Sequence, residues 1–323
     1  MDLIALLADE GLPPATLVLA YGSGAVPQAG YAVAKEPPML DLIVVVEDAA
    51  EWHRANLALN RAHYSALALG GPRFVATVQR ATAGVYYNTL VLMQSSAHRG
   101  RLMKYGVVSR ADLEDDLVSW RWLYLSGRLH KPVLLAPCSS DSLQAALRAN
   151  LASAVRAALL LLPAEFTRQD LFLAVAGLSY GGDLRMLFGE NPDKVRNIVE
   201  PNLPRFDQLY APVLGDFSDV CDFSDASASH ACASGRCAQD TSAAARHSLA
   251  ASLPAAAWQP GSAAVTPDAL RARLRAVVGR ASAVQTCKGL FTAGVAKSAT
   301  YTAAKVGKWA AWQASAWSKR LRP

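Results

Sequence analysis

No run of apolar residues in this chain reaches the roughly 18 that cross a bilayer as a helix. The longest, Ala157 to Pro163, is too short and follows Arg156. Asp2, Asp9 and Glu10 crowd the start, which reads as neither a secretory signal nor a transit peptide. Charge is scarce: Asp, Glu, Lys and Arg make 18% of 323 residues, against 52% apolar. That balance excludes a disordered polyelectrolyte and leaves enough apolar chain for two domains with their own cores. Cysteine is sparse and odd in number, at Cys138, Cys221, Cys232, Cys237 and Cys287. Such a set excludes a disulfide framework and fits a reducing compartment or free thiols. His230, Cys232 and Cys237 offer ligand atoms, but their Ala/Ser-rich surroundings and the missing second pair argue against a metal site. Acids are nearly absent from the last 61 residues, where eleven Lys/Arg face Asp268 alone. That segment carries +10 of a total of +6, so the rest of the chain carries −4. A basic tail on a near-neutral body calls for an anionic partner, nucleic acid or lipid.

What is present begins at Leu17–Ala20, an apolar run that enters Tyr21-Gly22-Ser23-Gly24. Seventeen residues past Gly24, Asp41 opens a second apolar run, Leu42 to Val46. A glycine turn can press backbone N–H groups and the Ser23 hydroxyl against phosphates. A carboxylate on the next strand can hold Mg²⁺ beside them. This is the layout of a nucleotidyltransferase site, with one departure: the place two residues after the first acid, where a second is usual, holds Ile43. An acid opening a run of aliphatics is costly without a partner, which makes Asp41 the best metal ligand. Glu47 and Asp48 close the same strand, roughly 20 Å away and too far to share an ion. Asp48 reads instead as the cap of the next helix.

Residues 17–135 read as α/β, with strands expected over 17–21, 41–46, 74–78, 85–93 and 101–105 and helices over 49–69 and 113–125. Further helices are expected over 142–162, 167–176 and 194–202 and from Pro267 onward. Residues 218–262, rich in Ser, Ala, Asp and Cys, read as an ill-ordered or variable loop. Val295 to Leu321 interleaves Tyr301, Trp309, Trp312 and Trp317 with Lys297, Lys305, Lys308, Lys319 and Arg320. That pattern suits an amphipathic helix at an anionic membrane surface, or one docked on its own body.

Many short segments in one order resemble the mitochondrial phosphatidate cytidylyltransferases. They include Tyr21-Gly22-Ser23-Gly24, Met39 to Val46, Trp52-His53, His63-Tyr64-Ser65 and Gly84 to Asn88. Lys104 to Val107, Leu123 to Pro132, Leu178 to Tyr180, Gly182 to Met186 and Lys288-Gly289 continue the series. The resemblance implies a nucleotidyltransferase-like α/β domain at 1–139, a mostly helical, winged-helix-like domain at 140–217, the variable loop at 218–262 and a basic region with a membrane-associating helix at 263–323. It implies transfer of CMP from CTP to phosphatidic acid, for cardiolipin and phosphatidylglycerol synthesis, with Mg²⁺. It also implies a peripheral protein on the matrix side of the mitochondrial inner membrane, with no nucleic-acid partner.

On this reading Gly22, Ser23 and Gly24 cradle phosphate and Asp41 holds the metal. Lys104 is a catalytic candidate that contacts the phosphates of CTP or of the lipid. Tyr86, Tyr87 and Asn88 form either a base or ribose wall or part of the core. Asp183 and Arg185 form either a salt bridge or an anion contact. Arg128 and Lys131 are further anion contacts, and His53 and His63 are structural or substrate-positioning. Two other functions remain open on the residues alone: a nucleotidyltransferase acting on RNA or a small polar acceptor, and a non-catalytic assembly protein.

Overall fold

In the computed structural model, residues 1–29, 37–187, 191–223, 235–259 and 265–293 are described. In chain order the elements are α1 Leu3–Asp9, β1 Leu17–Tyr21, β2 Leu40–Val46, α2 Ala49–Leu59, α3 Gly71–Arg80, β3 Val85–Leu92, β4 Leu102–Ser109, α4 Arg110–Ser119, α5 Ser126–Leu129 and β5 Leu134–Leu135. There follow α6 Asp141–Leu161, β6 Glu165–Thr167, α7 Arg168–Gly177, α8 Leu184–Leu187, α9 Lys194–Val199, α10 Leu203–Leu214, β7 Cys221–Asp222, β8 Arg236–Gln239, α11 Ala243–Ala251 and α12 Pro267–Ala293.

Five strands form a mixed sheet in the order β3-β4-β2-β1-β5. β2 and β4 run parallel; the other pairs are antiparallel. β2 lies at the centre, covered on both faces, which is why it reads as an almost unbroken aliphatic run. Asp48 caps α2, its carboxylate accepting from the N–H of Ala50 and Glu51, as expected. Glu47 instead pairs with Arg110 across the surface.

Three local expectations are corrected. Residues 74–78 lie in helix α3, not a strand. Gly71-Pro72 starts the helix, and Val75, Ala76 and Gln79 are buried at helical spacing, a period that a five-residue window cannot show. The helix expected over 49–69 stops at Leu59, where Asn60 leaves helical geometry and its amide donates to Gly11 O and Asn56 Oδ1; two 3₁₀ turns follow. The helix expected to reach Leu125 stops at Ser119. Trp120 is left-handed, and the buried Asp116 carboxylate accepts from the N–H of Trp122, Tyr124, Leu125 and Ser126. Asp116 thus builds the turn that delivers α5.

A second core is formed by α6, α7, α9, α10, α11 and the first half of α12, beside a small sheet ordered β6-β8-β7. α6 is shared: Leu143 and Ala146 pack in the first core, and Ala152 to Leu160 in the second. Thr167 and Asp170 form a capping box at the start of α7. The stretch 218–262 is not a loop throughout. β7, β8 and α11 lie within it, and Cys221, Cys237, Leu249, Ala250 and Leu253 are buried in the second core. Its composition misleads because Ala is the best helix former and Cys packs as a small apolar residue. Cys138, Cys221 and Cys287 are free thiols. His230 and Cys232 lie outside the described residues, and among those described no cluster of His, Cys, Asp or Glu suits a metal. The amphipathic helix expected over 295–321 also lies outside the described residues. No described helix is long and apolar enough to cross a membrane.

Candidate active site

Strand register assembles the site. Tyr21 on β1 pairs with Asp41 on β2, and Asp41 pairs with Lys104 on β4. Paired residues point to the same face, so the carboxylate and the ammonium meet: Lys104 Nζ lies 3.6 Å from Asp41 Oδ1. Both side chains are only about a fifth exposed, at 22% for Asp41 and 15% for Lys104. Tyr87 on β3 pairs with Gly106. A Cβ on Gly106 would stand 2.5 Å from the Tyr87 ring. The missing side chain lets that ring lie across β4, and Lys104 Nζ sits 4.3 Å from its centre.

The glycine turn closes the other side. Gly22 has φ +73, and a Cβ there would come 3.4 Å from Asp41 Oδ2, so the turn lies against the carboxylate. Gly24 admits no side chain, since its Cβ would fall 2.2 Å from Met39 O. Ala25 and Val26 donate to Gly22 O and fold the turn, while the N–H groups of Ser23 and Gly24 have no acceptor among the described residues. Arg101 fastens the turn from outside. Its guanidinium donates to Gly24 O at 2.8 Å and to Pro38 O at 2.9–3.0 Å.

A second cation reaches the same tyrosines from α5. The Arg128 guanidinium lies 4.0 Å from the centre of the Tyr124 ring and 5.3 Å from that of Tyr21, and donates to Tyr124 O. Its Nε is buried without an acceptor, and it has no carboxylate partner among the described residues. Burial, and then the charge of Asp41, push the Tyr21 hydroxyl far above its usual range, so it stays protonated. Asp41, Lys104 and Arg128 thus give an anion site with one carboxylate set in it. Beside it, Lys131 donates to Ser179 Oγ at 2.9 Å and to Gly127 O, tying α5 to the segment after α7.

A family profile described as mitochondrial phosphatidate cytidylyltransferase matches residues 9–265 and 261–308. A protein of that name from Xenopus laevis is 40% identical over 317 residues, 91% of this chain and 90% of the relative. Those from Mus musculus and Drosophila melanogaster are 38% and 40% identical, over 93% and 90% of this chain and 93% of each relative. The chain belongs to this family. The resemblance carried by the short motifs is therefore borne out, and the glycine turn, Asp41, Lys104 and Tyr87 are motif residues that the fold brings into one place.

Other motif residues lie elsewhere. Asn88 follows Tyr87 on one strand and so points to the opposite face; it pairs with Tyr105 and is fully buried under α2 and α3. It therefore cannot share a wall with Tyr87, and alternation along a strand was the signal for this. Around it, Asn56 donates to the Tyr64 and Tyr105 hydroxyls, both at 2.9 Å. Those hydroxyls meet Nδ1 of His53 and of His63, and His53 Nε2 meets Gln79 Oε1. Burial lowers His53 to about 4. A neutral His53 donates from Nε2 and accepts at Nδ1, a structural role in line with the expectation. Asp183 is buried and accepts from Ser282 Oγ at 2.6 Å, so it anchors the loop before α8 to α12. Arg185 lies on α8, and its side chain is outside the described residues. Sequence reasoning missed Arg101 and Asp116, whose partners are backbone atoms of other segments and leave no local pattern.

Proposed function

We propose that this protein transfers the cytidylyl group of CTP to phosphatidate, giving CDP-diacylglycerol and pyrophosphate. The observation that carries the reading is the Asp41–Lys104 pair set against the Gly22-Ser23-Gly24 turn, in a chain of this family. An oxygen of the lipid phosphate attacks the α-phosphorus of CTP, and the bond to the pyrophosphate oxygen breaks. A phosphate monoester is already ionised, so no residue need remove a proton. The protein's task is to place two anions in line and to offset the charge that grows on the leaving group. The unengaged N–H groups of Ser23 and Gly24 hold phosphate oxygens, with the Ser23 hydroxyl beside them. Lys104 and Arg128 supply positive charge, packed against the buried rings of Tyr87 and Tyr21.

One carboxylate beside a phosphate-holding turn suits Mg²⁺, which commonly uses one or two carboxylates together with substrate phosphates. Asp41 would hold it, and the ion would supply further charge neutralisation at the phosphates. Ile43, where a second acid is usual, is packed in the core and offers no ligand. The finer assignments belong to the same reading: a nucleotidyltransferase-like first domain, a winged-helix-like second one, and a peripheral protein on the matrix side of the mitochondrial inner membrane. There its product feeds cardiolipin synthesis, and the Lys/Trp tail from residue 294 adheres to anionic lipid. Purified protein incubated with labelled CTP and phosphatidate in mixed micelles should yield labelled CDP-diacylglycerol with Mg²⁺ and none with excess chelator. Bound CTP that gives no lipid product at any Mg²⁺ level would sink the reading.

A further inference from the structure

Between Glu51 and Asp112 the chain has eight Lys/Arg and no carboxylate. That span includes the 3₁₀ turn Ala66–Gly70 and α3, which form a small separate core of Tyr64, Ala68, Val75 and Tyr86. α3 buries Val75, Ala76 and Gln79 and turns Arg73, Phe74, Thr77 and Arg80 to solvent. Phe74 lays its ring over Gly70 and is still 44% exposed; Leu69, on the turn, is 82% exposed. The end of α12 arrives at the same corner. Lys288 Nζ donates to Gln79 O at 3.1 Å, and the hydroxyl of Ser65, which caps the turn, donates to Phe291 O at 2.9 Å. The helix is docked through Gln285, Lys288 and Thr292, yet Phe291 is 68% exposed.

Three large apolar side chains therefore stand in water where the turn, α3 and α12 meet. Scattered exposed apolar residues need no explanation, but three on elements that are bonded to one another call for one. Arg73 and Arg80 stand beside them without a carboxylate partner among the described residues. Exposed apolar groups beside Arg73 and Arg80 match an anionic bilayer: the side chains enter the headgroup boundary and the guanidinium groups meet lipid phosphates, while Asp112, the carboxylate in electrostatic range of this corner, faces Lys288. A protein partner fits less well, because hot spots for proteins seat in pockets, and these side chains project outward. Continuity favours lipid too, since the Lys/Trp segment leaves α12 three residues past Phe291.

We propose that Leu69, Phe74 and Phe291, with Arg73 and Arg80, form a bilayer-contacting surface on the body of the protein, separate from the C-terminal segment. The proposal rests on the reading of a lipid substrate. The surface and the tail each bind lipid only marginally alone, and stable attachment needs both.

The test uses the full chain and vesicles of phosphatidylcholine with or without phosphatidylglycerol. Two variants are compared with wild type, Leu69→Ser/Phe74→Ser/Phe291→Ser and Arg73→Glu/Arg80→Glu. All five positions are exposed, so thermal unfolding should stay at the wild-type midpoint; the charge-reversal variant serves if the triple one does not fold. Co-sedimentation with the anionic vesicles should fall ~10-fold or more in both. Turnover of vesicle-embedded phosphatidate should fall with it, while a short-chain phosphatidate dispersed below its micelle concentration should turn over at the wild-type rate. Wild-type sedimentation by folded variants would overturn the proposal and leave a protein as the occupant. Wild-type protein that makes no lipid product from either substrate form, with sedimentation still lost in the variants, would sink the reaction and leave the surface standing.

Discussion

The two faces of the five-stranded sheet hold similar numbers of polar side chains and treat them oppositely. Under α2 and α3, Asn56, the Tyr64 and Tyr105 hydroxyls and His53 and His63 answer one another in one connected chain. On the other face Asp41 pairs with Lys104 alone, and among the described residues Arg128 has no carboxylate partner and the N–H groups of Ser23 and Gly24 have no acceptor. A connected polar network adds rigidity, although Gln79 Nε2, the Tyr86 hydroxyl and the Asn88 amide on this face make no hydrogen bond among the described residues. An open one with surplus positive charge is complete only when anions enter. The motif residues are split between the faces by alternation along the strands, so membership of the family pattern alone does not tell chemistry from architecture.

Substitutions on the two faces should therefore separate activity from stability. The largest effect is expected from Lys104→Ala, which should lower kcat ~10²–10³-fold, as losing one charge-stabilising donor does elsewhere. The thermal midpoint should hardly move, because the ion pair it breaks is partly exposed. Unchanged turnover would move the site off this face.

Gly24→Ala drives a Cβ into Met39 O, so the turn must shift. It should abolish CTP binding, measured by titration calorimetry, and cost about 1–3 kcal/mol in denaturant unfolding.

On the connected face the reporter is pH. Burial lowers His53 to about 4 and, away from this face against Asn150 of α6, His130 to about 3, both below the ordinary 6.5. Folding favours the neutral rings, so their stabilisation is full above pH 6.5 and is lost as pH falls toward these values. His53 alone accounts for on the order of 3 kcal/mol, and His53→Gln should flatten the slope of unfolding free energy between pH 6.5 and 4. A slope that His53→Gln leaves unchanged would mean that His53 is not buried as a neutral ring.

The smallest effect is Tyr105→Phe. It strands an Asn56 donor and should cost about 1–3 kcal/mol while leaving the KM for CTP at its wild-type value. A raised KM with unchanged stability would place Tyr105 in the substrate site.

Much of the open face was legible beforehand. Gly22-Ser23-Gly24 and Asp41 stand out because a glycine turn and an acid opening a strand are both local features. Lys104 could be placed on a strand, but its contact with Asp41 depends on the parallel register of β2 and β4, which no local pattern states. Arg128 was legible only as a cation in a motif; its position rests on the turn that Asp116 builds from six to ten residues away. Tyr87 and Asn88 were read together as a wall or as core, although alternation along the strand puts them on opposite faces. The strand expected at 74–78 failed because Phe74, Val75 and Val78 are β-rich in so short a window, while the helix shows only across Gly71–Arg80.

The most direct test is Asp41→Ala beside wild type, in labelled CTP, Mg²⁺ and phosphatidate, with the thermal midpoint of each protein measured in parallel. The account predicts labelled CDP-diacylglycerol from the wild type and none from a variant that unfolds at the same temperature. Product from both at equal rates would contradict it and place the chemistry away from the Asp41 face.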